Sequence, residues 1–172
     1  FEGIRGYTQS NGSLKIIGFE EHLERLLLSC NSIGLEVALE GNTLIHDIRK
    51  LIKAKGILGD FYLRLIVYSG SKGSWASDDL DVNYILLIRP TQDSETILKD
   101  IGISKIRRIS NKSMDPATKC GANYINSRYA LMEVQERGYR SALLLNLDGR
   151  IAEATGANIF FAKGKVLVTP AT

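Results

Sequence analysis

The sequence predicts an α+β fold with a small first domain, residues 1–90, a linker, 91–100, and a β-rich second domain, 101–172. Apolar residues recur at helical spacing in some segments and alternate as in strands in others. Turn signals such as Asp148-Gly149 separate the strands of the second domain. A polar run after position 90 divides the two parts and is typical of a linker.

In the first domain, residues 3–7 and 14–17 are predicted strands joined by a turn at Asn11-Gly12, where glycine accepts a positive φ. The next segment, 19–30, repeats its apolar residues on one helical face. Gly34 follows it and is placed to end this helix.

A second helix follows, with Asn42 or Thr43 as its expected N-cap and Gly56 as its end. Residues 61–68 and 82–88 are then predicted strands. The second of these is so apolar that we expect it to be buried. Together these elements predict a small two-layer α/β domain.

In the second domain, residues 101–110 alternate weakly and predict a strand, and residues 123–137 predict a helix that Gly138 ends. The apolar residues on one side of this helix are Ile125, Tyr129 and Met132. Strands are then expected at 142–147, 150–154, 158–162 and 166–169. Asp148-Gly149 predicts a type I′ hairpin turn, and Lys163-Gly164 predicts a second turn of this type.

Composition and charge exclude several classes of function. The 172 residues are 44% hydrophobic, which is enough for a core, and the net charge of +3 is spread along the chain. We therefore expect no nucleic-acid partner, since the basic cluster at 105–108 is small, and no membrane partner, since no apolar run reaches spanning length. Cys30 and Cys120 are typical of reduced thiols in a cytoplasmic protein. The two histidines and two scattered cysteines support no metal site.

The segment most indicative of chemistry is Thr118-Lys119-Cys120-Gly121-Ala122-Asn123-Tyr124, at the start of a predicted helix. A lysine amine is useful beside a core when the chemistry needs a nucleophile, as in imine formation with an aldehyde. A lone loop lysine would otherwise be interpreted as a solvated side chain. Glu153 lies on a predicted strand after a hairpin, where a carboxylate among small apolar residues needs a partner if it is buried.

The order of these segments resembles the fold-type IV, or class IV, pyridoxal-phosphate enzymes, and most closely the branched-chain amino-acid aminotransferases. The segments that carry the resemblance are Phe1-Glu2-Gly3-Ile4-Arg5, His22-Leu23-Glu24-Arg25-Leu26, Tyr62-Leu63-Arg64, Lys119-Cys120-Gly121-Ala122-Asn123-Tyr124, Asp148-Gly149-Arg150, Glu153 and Asn158-Ile159-Phe160-Phe161. The resemblance implies that the second domain is the first part of a larger, pseudo-barrel cofactor-binding domain.

The resemblance also implies roles toward pyridoxal phosphate. Lys119 would form the internal aldimine and shuttle the proton during transamination, and Tyr124 would bond the ring oxygen. Glu153 would bind the ring nitrogen, and Arg25 would bind the phosphate. Each of the last three has a structural alternative, which is a core tyrosine for Tyr124, an outward strand glutamate for Glu153, and a surface salt bridge to Glu21 for Arg25.

Substrate recognition is implied for Phe1, Tyr62 and Arg64. Tyr62 and Arg64 are two apart in a strand and so share a face. By resemblance, the arginine would accept the side-chain carboxylate of glutamate, so that 2-oxoglutarate serves as amino acceptor, and Phe1 would line an apolar wall. The alternatives are a strand arginine paired with a neighbouring acid and a core aromatic.

Other functions remain open on the sequence alone. One is a fold-type IV lyase acting on aminodeoxychorismate, which would keep Lys119 and Glu153; another is a non-catalytic binding module. Both ends of the chain look cut, and later turns that would complete the phosphate and α-carboxylate sites are expected beyond Thr172. We therefore expect the piece itself to be inactive, and to associate as a homo-oligomer, a dimer or larger, or with the missing part.

Overall fold

The computed structural model describes residues 1–70, 74, 76–77, 79–91 and 100–170. The chain divides into two compact units, Phe1–Ser94 and Glu95–Thr172. Most of the predicted linker at 91–100 lies outside the described residues. The domain boundaries that the sequence indicates therefore stay a prediction.

The first unit is a four-stranded antiparallel sheet in the order β2-β1-β3-β4, with two helices. Its strands are β1 (Glu2–Thr8), β2 (Leu14–Ile16), β3 (Phe61–Ser69) and β4 (Val82–Pro90). Its helices are α1 (Phe19–Ser32) and α2 (Gly41–Ala54). Gly34 and Gly56 follow these helices with positive φ values of 71° and 62°, which confirms both predicted helix ends.

The helices cover one face of the sheet. The fully buried residues of this core include Ile4, Leu26, Leu44, Ile48, Phe61, Leu63 and Leu65. Phe61 packs so closely on β1 that a Cβ at Gly6 would clash with its ring, which explains the glycine there. Because side chains alternate along a strand, Tyr62 and Arg64 lie on the face opposite the helices.

Two predictions for this unit are wrong. Strand β4 is not buried, since Ile85 and Leu87 are 41% and 52% exposed; β4 is an edge strand and the helices cover only one of its faces. Neither Asn42 nor Thr43 caps α2. The helix begins earlier than either, because the amide of Leu44 already bonds to the carbonyl of Glu40.

The second unit contains a three-stranded sheet, in the order β5-β6-β7, and a separate hairpin. Its elements are β5 (Ile101–Ile103), α3 (Gly121–Glu136), β6 (Ser141–Leu145), β7 (Ile151–Ala154), β8 (Phe161–Lys163) and β9 (Val166–Val168). Strands β5 and β6 are parallel, with α3 in the connection between them, and β7 pairs antiparallel with β6. Gly138 follows α3 with a φ of 87°, which confirms it as the end of the helix.

Strand β5 is much shorter than the predicted 101–110. The amide of Ser104 bonds to the carbonyl of Leu143, and the amide of Arg108 bonds to the carbonyl of Leu145. The chain therefore advances four residues, from Ser104 to Arg108, while β6 advances only two, from Leu143 to Leu145. The segment must bulge between these two hydrogen bonds. A weak alternation in the sequence does not reveal such a bulge.

The predicted type I′ turn at Asp148-Gly149 is also wrong. Gly149 has a φ of 80°, but Asp100 alone among the described non-glycine residues has a positive φ, and type I′ requires one at Asp148 as well. Instead, Asn146 Oδ1 accepts hydrogen bonds from the backbone amides of Asp148 and Arg150, at 3.0 and 2.9 Å. These two bonds hold the chain in a longer loop. A hairpin does form next to Lys163-Gly164, since β8 pairs with β9. Its turn is not the predicted type I′ turn, because Lys163 lacks the positive φ that type I′ requires and pairs with Val166, so that the turn residues are Gly164 and Lys165.

Helix α3 presents small residues to the sheet. Ala130 and Val134 are fully buried against Ala142 and Leu144 of β6. The apolar side that the sequence indicates lies toward solvent within the described structure, and its residues are Ile125, Tyr129 and Met132 at 54%, 58% and 43% exposure. None of the helices in the described residues combines the length and the apolar character needed to cross a membrane.

Candidate functional site

The loop before Lys119 is tied to the first turn of α3. Asn123 is 4% exposed, and its side-chain amide donates to the carbonyls of Asp115 and Thr118 at 2.9 and 2.8 Å. Two backbone carbonyls of a connecting loop are thereby satisfied inside the protein, where an unpaired carbonyl would be costly. The side chain of Asn123 thus fixes the backbone from which Lys119 projects.

The amine of Lys119 lies beside the phenol of Tyr124. Lys119 Nζ donates to Tyr124 Oη at 2.7 Å, and it lies 5.2 Å from the centre of the tyrosine ring. Lys119 is half-buried and Tyr124 is exposed. Both groups are therefore reachable within this unit, and they are close enough to exchange or share a proton.

Glu153 lies on β7 and pairs with Arg108. Glu153 Oε1 is 2.5 Å from Arg108 Nε, and the two side chains are 30% and 17% exposed. Burial raises the pKa of Glu153 above its ordinary value, although the positive charges of Arg108 and Lys119 act in the opposite direction. The charge of Lys119 thus acts on the Glu153 carboxyl, and the role of the two residues at one site stays a prediction.

Arg108 is held in place by α3. The amide of Ile109 donates to Asn126 Oδ1 at 3.1 Å, and Asn126 Nδ2 donates to the carbonyl of Arg107 at 2.9 Å. The buried Nη1 atom of Arg108 has no hydrogen-bond partner within the described residues, so it is available to an acceptor. Neither Arg108 nor Asn126 was predicted as a site residue, because in the sequence Arg108 belongs only to a small basic cluster.

In the first unit, the structure brings Phe1, Tyr62 and Arg64 together on the open face of the sheet. The guanidinium of Arg64 lies 4.4 Å from the centre of the Phe1 ring. Its Nε atom is buried and has no hydrogen-bond partner among the described residues. An arginine in this state suits an anionic ligand, because a carboxylate would supply the missing acceptor.

Arg25 is held on the same unit by an acid that was not predicted from the sequence. Arg25 Nε and Nη2 donate to the two carboxylate oxygens of Glu2 at 2.6 and 2.7 Å. Glu2 also lies 2.8 Å from His22 Nδ1. A signal was present in the sequence, since Glu2 shares the core-facing side of β1 with Ile4.

A family model described as "Amino-transferase class IV" matches residues 1–172 of this chain. The chain belongs to the class IV aminotransferases. This confirms the resemblance and the fold class that the sequence indicates.

Among curated proteins, this class IV aminotransferase chain is 33% identical over 172 residues to a "Probable branched-chain-amino-acid aminotransferase" of Rickettsia bellii (strain RML369-C). That alignment covers 99% of the chain and 57% of the relative, so the chain spans just over half the length of that protein.

Two solved structures are similar as well. A branched-chain amino acid aminotransferase from Thermobaculum terrenum in its PLP-form has a TM-score of 0.88 at 30% identity, with 98% of this chain and 56% of that chain covered. A second branched-chain amino acid aminotransferase, from T.th., is complexed with N-(5'-phosphopyridoxyl)-L-glutamate. It has a TM-score of 0.84 at 26% identity, and the match covers 98% of this chain and 55% of that chain.

Within this class IV aminotransferase chain, no group of three or more His, Cys, Asp or Glu side chains is arranged to hold a metal ion in the described part. The chemistry-bearing residues fall into two sets, one in each unit. Lys119, Tyr124 and Glu153 form the first set, together with Arg108. Arg25 and the group around Arg64 belong to the other unit.

Proposed function

We propose that the protein to which this chain belongs is a pyridoxal-phosphate-dependent aminotransferase that transfers amino groups from branched-chain amino acids to 2-oxoglutarate. The observation that carries the proposal is the 2.7 Å contact between Lys119 Nζ and Tyr124 Oη, with Glu153 close enough for its pKa to respond to Lys119. The names of the relatives and structures reported above support the substrate class.

The residues of the second unit fit the cofactor. Pyridoxal phosphate, when bound, supplies an aldehyde for amine exchange and a ring that withdraws electrons. Lys119 would hold the aldehyde end, and its amine would then move the proton at the substrate Cα. Tyr124 would donate to the ring oxygen and Glu153 would accept from the ring nitrogen. The pairing of Glu153 with Arg108 favours this role, because the neighbouring guanidinium opposes the effect of burial, which raises the pKa of Glu153.

The residues of the first unit would bind phosphate and substrate. Arg25 offers a guanidinium suited to phosphate oxygens, and Arg64 offers a buried Nε that lacks an acceptor within the described part of the chain. Phe1 would contact apolar substrate side chains, and Tyr62 would lie beside Arg64. The glutamate derivative bound in the T.th. structure supports an acidic second substrate.

Trapping of the cofactor tests this proposal most directly. Full-length protein is incubated with pyridoxal phosphate and reduced with borohydride, and peptide mass spectrometry locates the adduct. We expect the adduct on Lys119, loss of the adduct in Lys119→Arg, and no change in Lys105→Arg, which alters an exposed lysine of the same unit. An adduct on another lysine, or none, would refute the assignment.

A coupled assay tests the substrates. Full-length protein should convert leucine and 2-oxoglutarate to the 2-oxo acid and glutamate, and absence of turnover would contradict the substrate assignment. Release of pyruvate from aminodeoxychorismate would favour the lyase instead.

We also propose a cytoplasmic homo-oligomer. The free thiols of Cys30 and Cys120 support the compartment, and the exposed edge strand β4 supports the assembly. Light scattering of the full-length protein tests the assembly, and a monomer would contradict it.

A further inference from the structure

Glu2 is a fully buried carboxylate on the core-facing side of a strand. Its side chain is 0% exposed, and it lies on the same buried face of β1 as Ile4 and Gly6. Burial by itself would raise the pKa of Glu2, but hydrogen bonds from Arg25 and His22 outweigh burial and hold that pKa below its ordinary value. Glu2 is therefore ionised at neutral pH.

The carboxylate binds the guanidinium of Arg25 in a fixed orientation. Nε donates to Oε1 at 2.6 Å and Nη2 donates to Oε2 at 2.7 Å, which is a two-point contact between two planar groups. Such a contact fixes the direction in which the whole guanidinium plane points. The side chain of Arg25 is nevertheless 50% exposed, so the oriented group remains accessible from solvent within this unit.

His22 completes the set. Its Nδ1 lies 2.8 Å from Glu2 Oε2, and because an ionised carboxylate only accepts hydrogen bonds, Nδ1 must carry the hydrogen. The two oxygens of Glu2 are thus shared by two bases of α1, one turn apart. Glu2, the first residue of β1, therefore positions the side chains of both His22 and Arg25 on α1.

Stability alone does not account for this arrangement. Buried ion pairs often contribute no more to stability than apolar residues of the same size, because desolvation offsets the attraction. An apolar residue at position 2 would continue the core face that Ile4 begins. A charged residue there has a clear physical consequence that an apolar one lacks, which is the orientation of Arg25.

We propose that Glu2 is a positioning residue for anion binding, which fixes the guanidinium of Arg25 so that it meets the phosphate group of the cofactor. This inference rests on the proposed function, in which Arg25 binds that phosphate. Glu2 itself touches neither cofactor nor substrate; it acts through Arg25.

The test compares two probes that differ only in the phosphate. Apo full-length protein is titrated with pyridoxal phosphate and with pyridoxal, and the ratio of the two affinities is measured for each variant by absorbance. Glu2→Gln should lower the affinity for pyridoxal phosphate about 10- to 100-fold, the loss typical of one charge-assisted hydrogen bond, and should leave pyridoxal affinity within about twofold. Glu24→Gln, which alters an exposed acid next to Arg25 in sequence, is the matched control and should change neither affinity.

Each result supports or overturns the inference. If Glu2→Gln weakens both probes equally, the role of Glu2 is only structural and the inference fails. If Arg25→Met lowers the affinity ratio but Glu2→Gln does not, the inference fails while the phosphate role of Arg25 stands. If Arg25→Met leaves the ratio unchanged, the phosphate role itself fails. Should Glu2→Gln not fold, Glu2→Asp serves instead: it keeps the charge but shortens the reach, so an intermediate loss of the ratio supports the inference and an unchanged ratio overturns it.

Discussion

Gly3 allows the proposed substrate site to be perturbed through a residue that carries no functional group. Gly3 pairs with Arg64 across the sheet, and the ring of Tyr62 lies over it. A Cβ added at Gly3 would fall 3.0 Å from Tyr62 Cζ and 3.1 Å from Cε2, and closer still to the hydroxyl oxygen. Ordinary contacts begin at 3.4 Å, so Gly3→Ala must displace the tyrosine ring.

The size of the effect follows from how far the ring has to move. Relief of the clash requires a shift of the phenol by about 1 Å, which a half-buried side chain can make by turning toward solvent. The cost in stability is therefore modest, about 1–2 kcal/mol for overpacking and an off-rotamer ring. Misplacement of a binding group by about 1 Å can lower a rate about 100-fold, so we expect kcat/KM for leucine to fall about 10- to 100-fold.

Steady-state kinetics and urea unfolding of the full-length protein measure both quantities. Gly59→Ala is the control, because a Cβ at Gly59 meets nothing within 4 Å and its φ is not positive. Adding Tyr62→Phe to Gly3→Ala removes the hydroxyl contact and should recover part of the lost stability. Unchanged kcat/KM in Gly3→Ala would refute the placement of Tyr62 in the substrate site, and an unchanged Tyr62 position in a crystal structure of the variant would refute the clash.

Leu144 is fully buried, so Leu144→Ala should cost about 2–5 kcal/mol of unfolding free energy in urea, whereas Leu147→Ala, at a site 66% exposed, should change it by less than about 0.5 kcal/mol. Arg108→Met should raise the pKa of Glu153 further, because burial then acts without the opposing charge of the guanidinium; ¹³C NMR titration of that carboxyl measures it, and a lower pKa would contradict the reasoning. The pKa of Glu2 lies below its ordinary value of 4.5, so the stability that this group gives is present above pH 4.5 and is lost as pH falls through its folded pKa. Urea midpoints measured from neutral to acidic pH should show this loss, and the same series on Glu2→Gln should lack it.

Much of the secondary structure of the first unit could be predicted, because its apolar residues recur at regular spacing and because glycines follow the ends of both helices. Phe61, Leu63 and Leu65 alternate with Tyr62 and Arg64, and the structure confirms that the two sets lie on opposite faces. The error at β4 has a physical cause. Apolar composition indicates that a surface is covered, but it does not say whether the covering element belongs to the same part of the chain, and Ile85 and Leu87 remain exposed here.

In the second unit, some predictions made from local sequence are wrong because side-chain hydrogen bonds to the backbone determine the conformation instead. The side chain of Asn146 determines the loop that Asp148-Gly149 suggests to be a type I′ turn. Asn126 similarly binds the backbone on both sides of Arg108, within the segment that alternation predicts to be a regular strand. Both effects depend on a side chain reaching a backbone group that the sequence alone does not place beside it.

The supporting residues that the sequence patterns did not indicate share one property, which is that each is a polar or charged side chain at a buried or largely buried position. Glu2 occupies a core position of β1, Asn123 a core position of α3, and Arg108 a largely buried position beside Glu153. A buried polar group costs free energy unless it is fully hydrogen-bonded, so its presence in a folded chain indicates a constraint other than packing. Each of them supports a residue proposed to act on the cofactor. Glu2 orients Arg25, Asn123 holds the loop of Lys119, and Arg108 pairs with Glu153. The proposed chemistry therefore rests as much on these supports as on the groups that would touch the ligand.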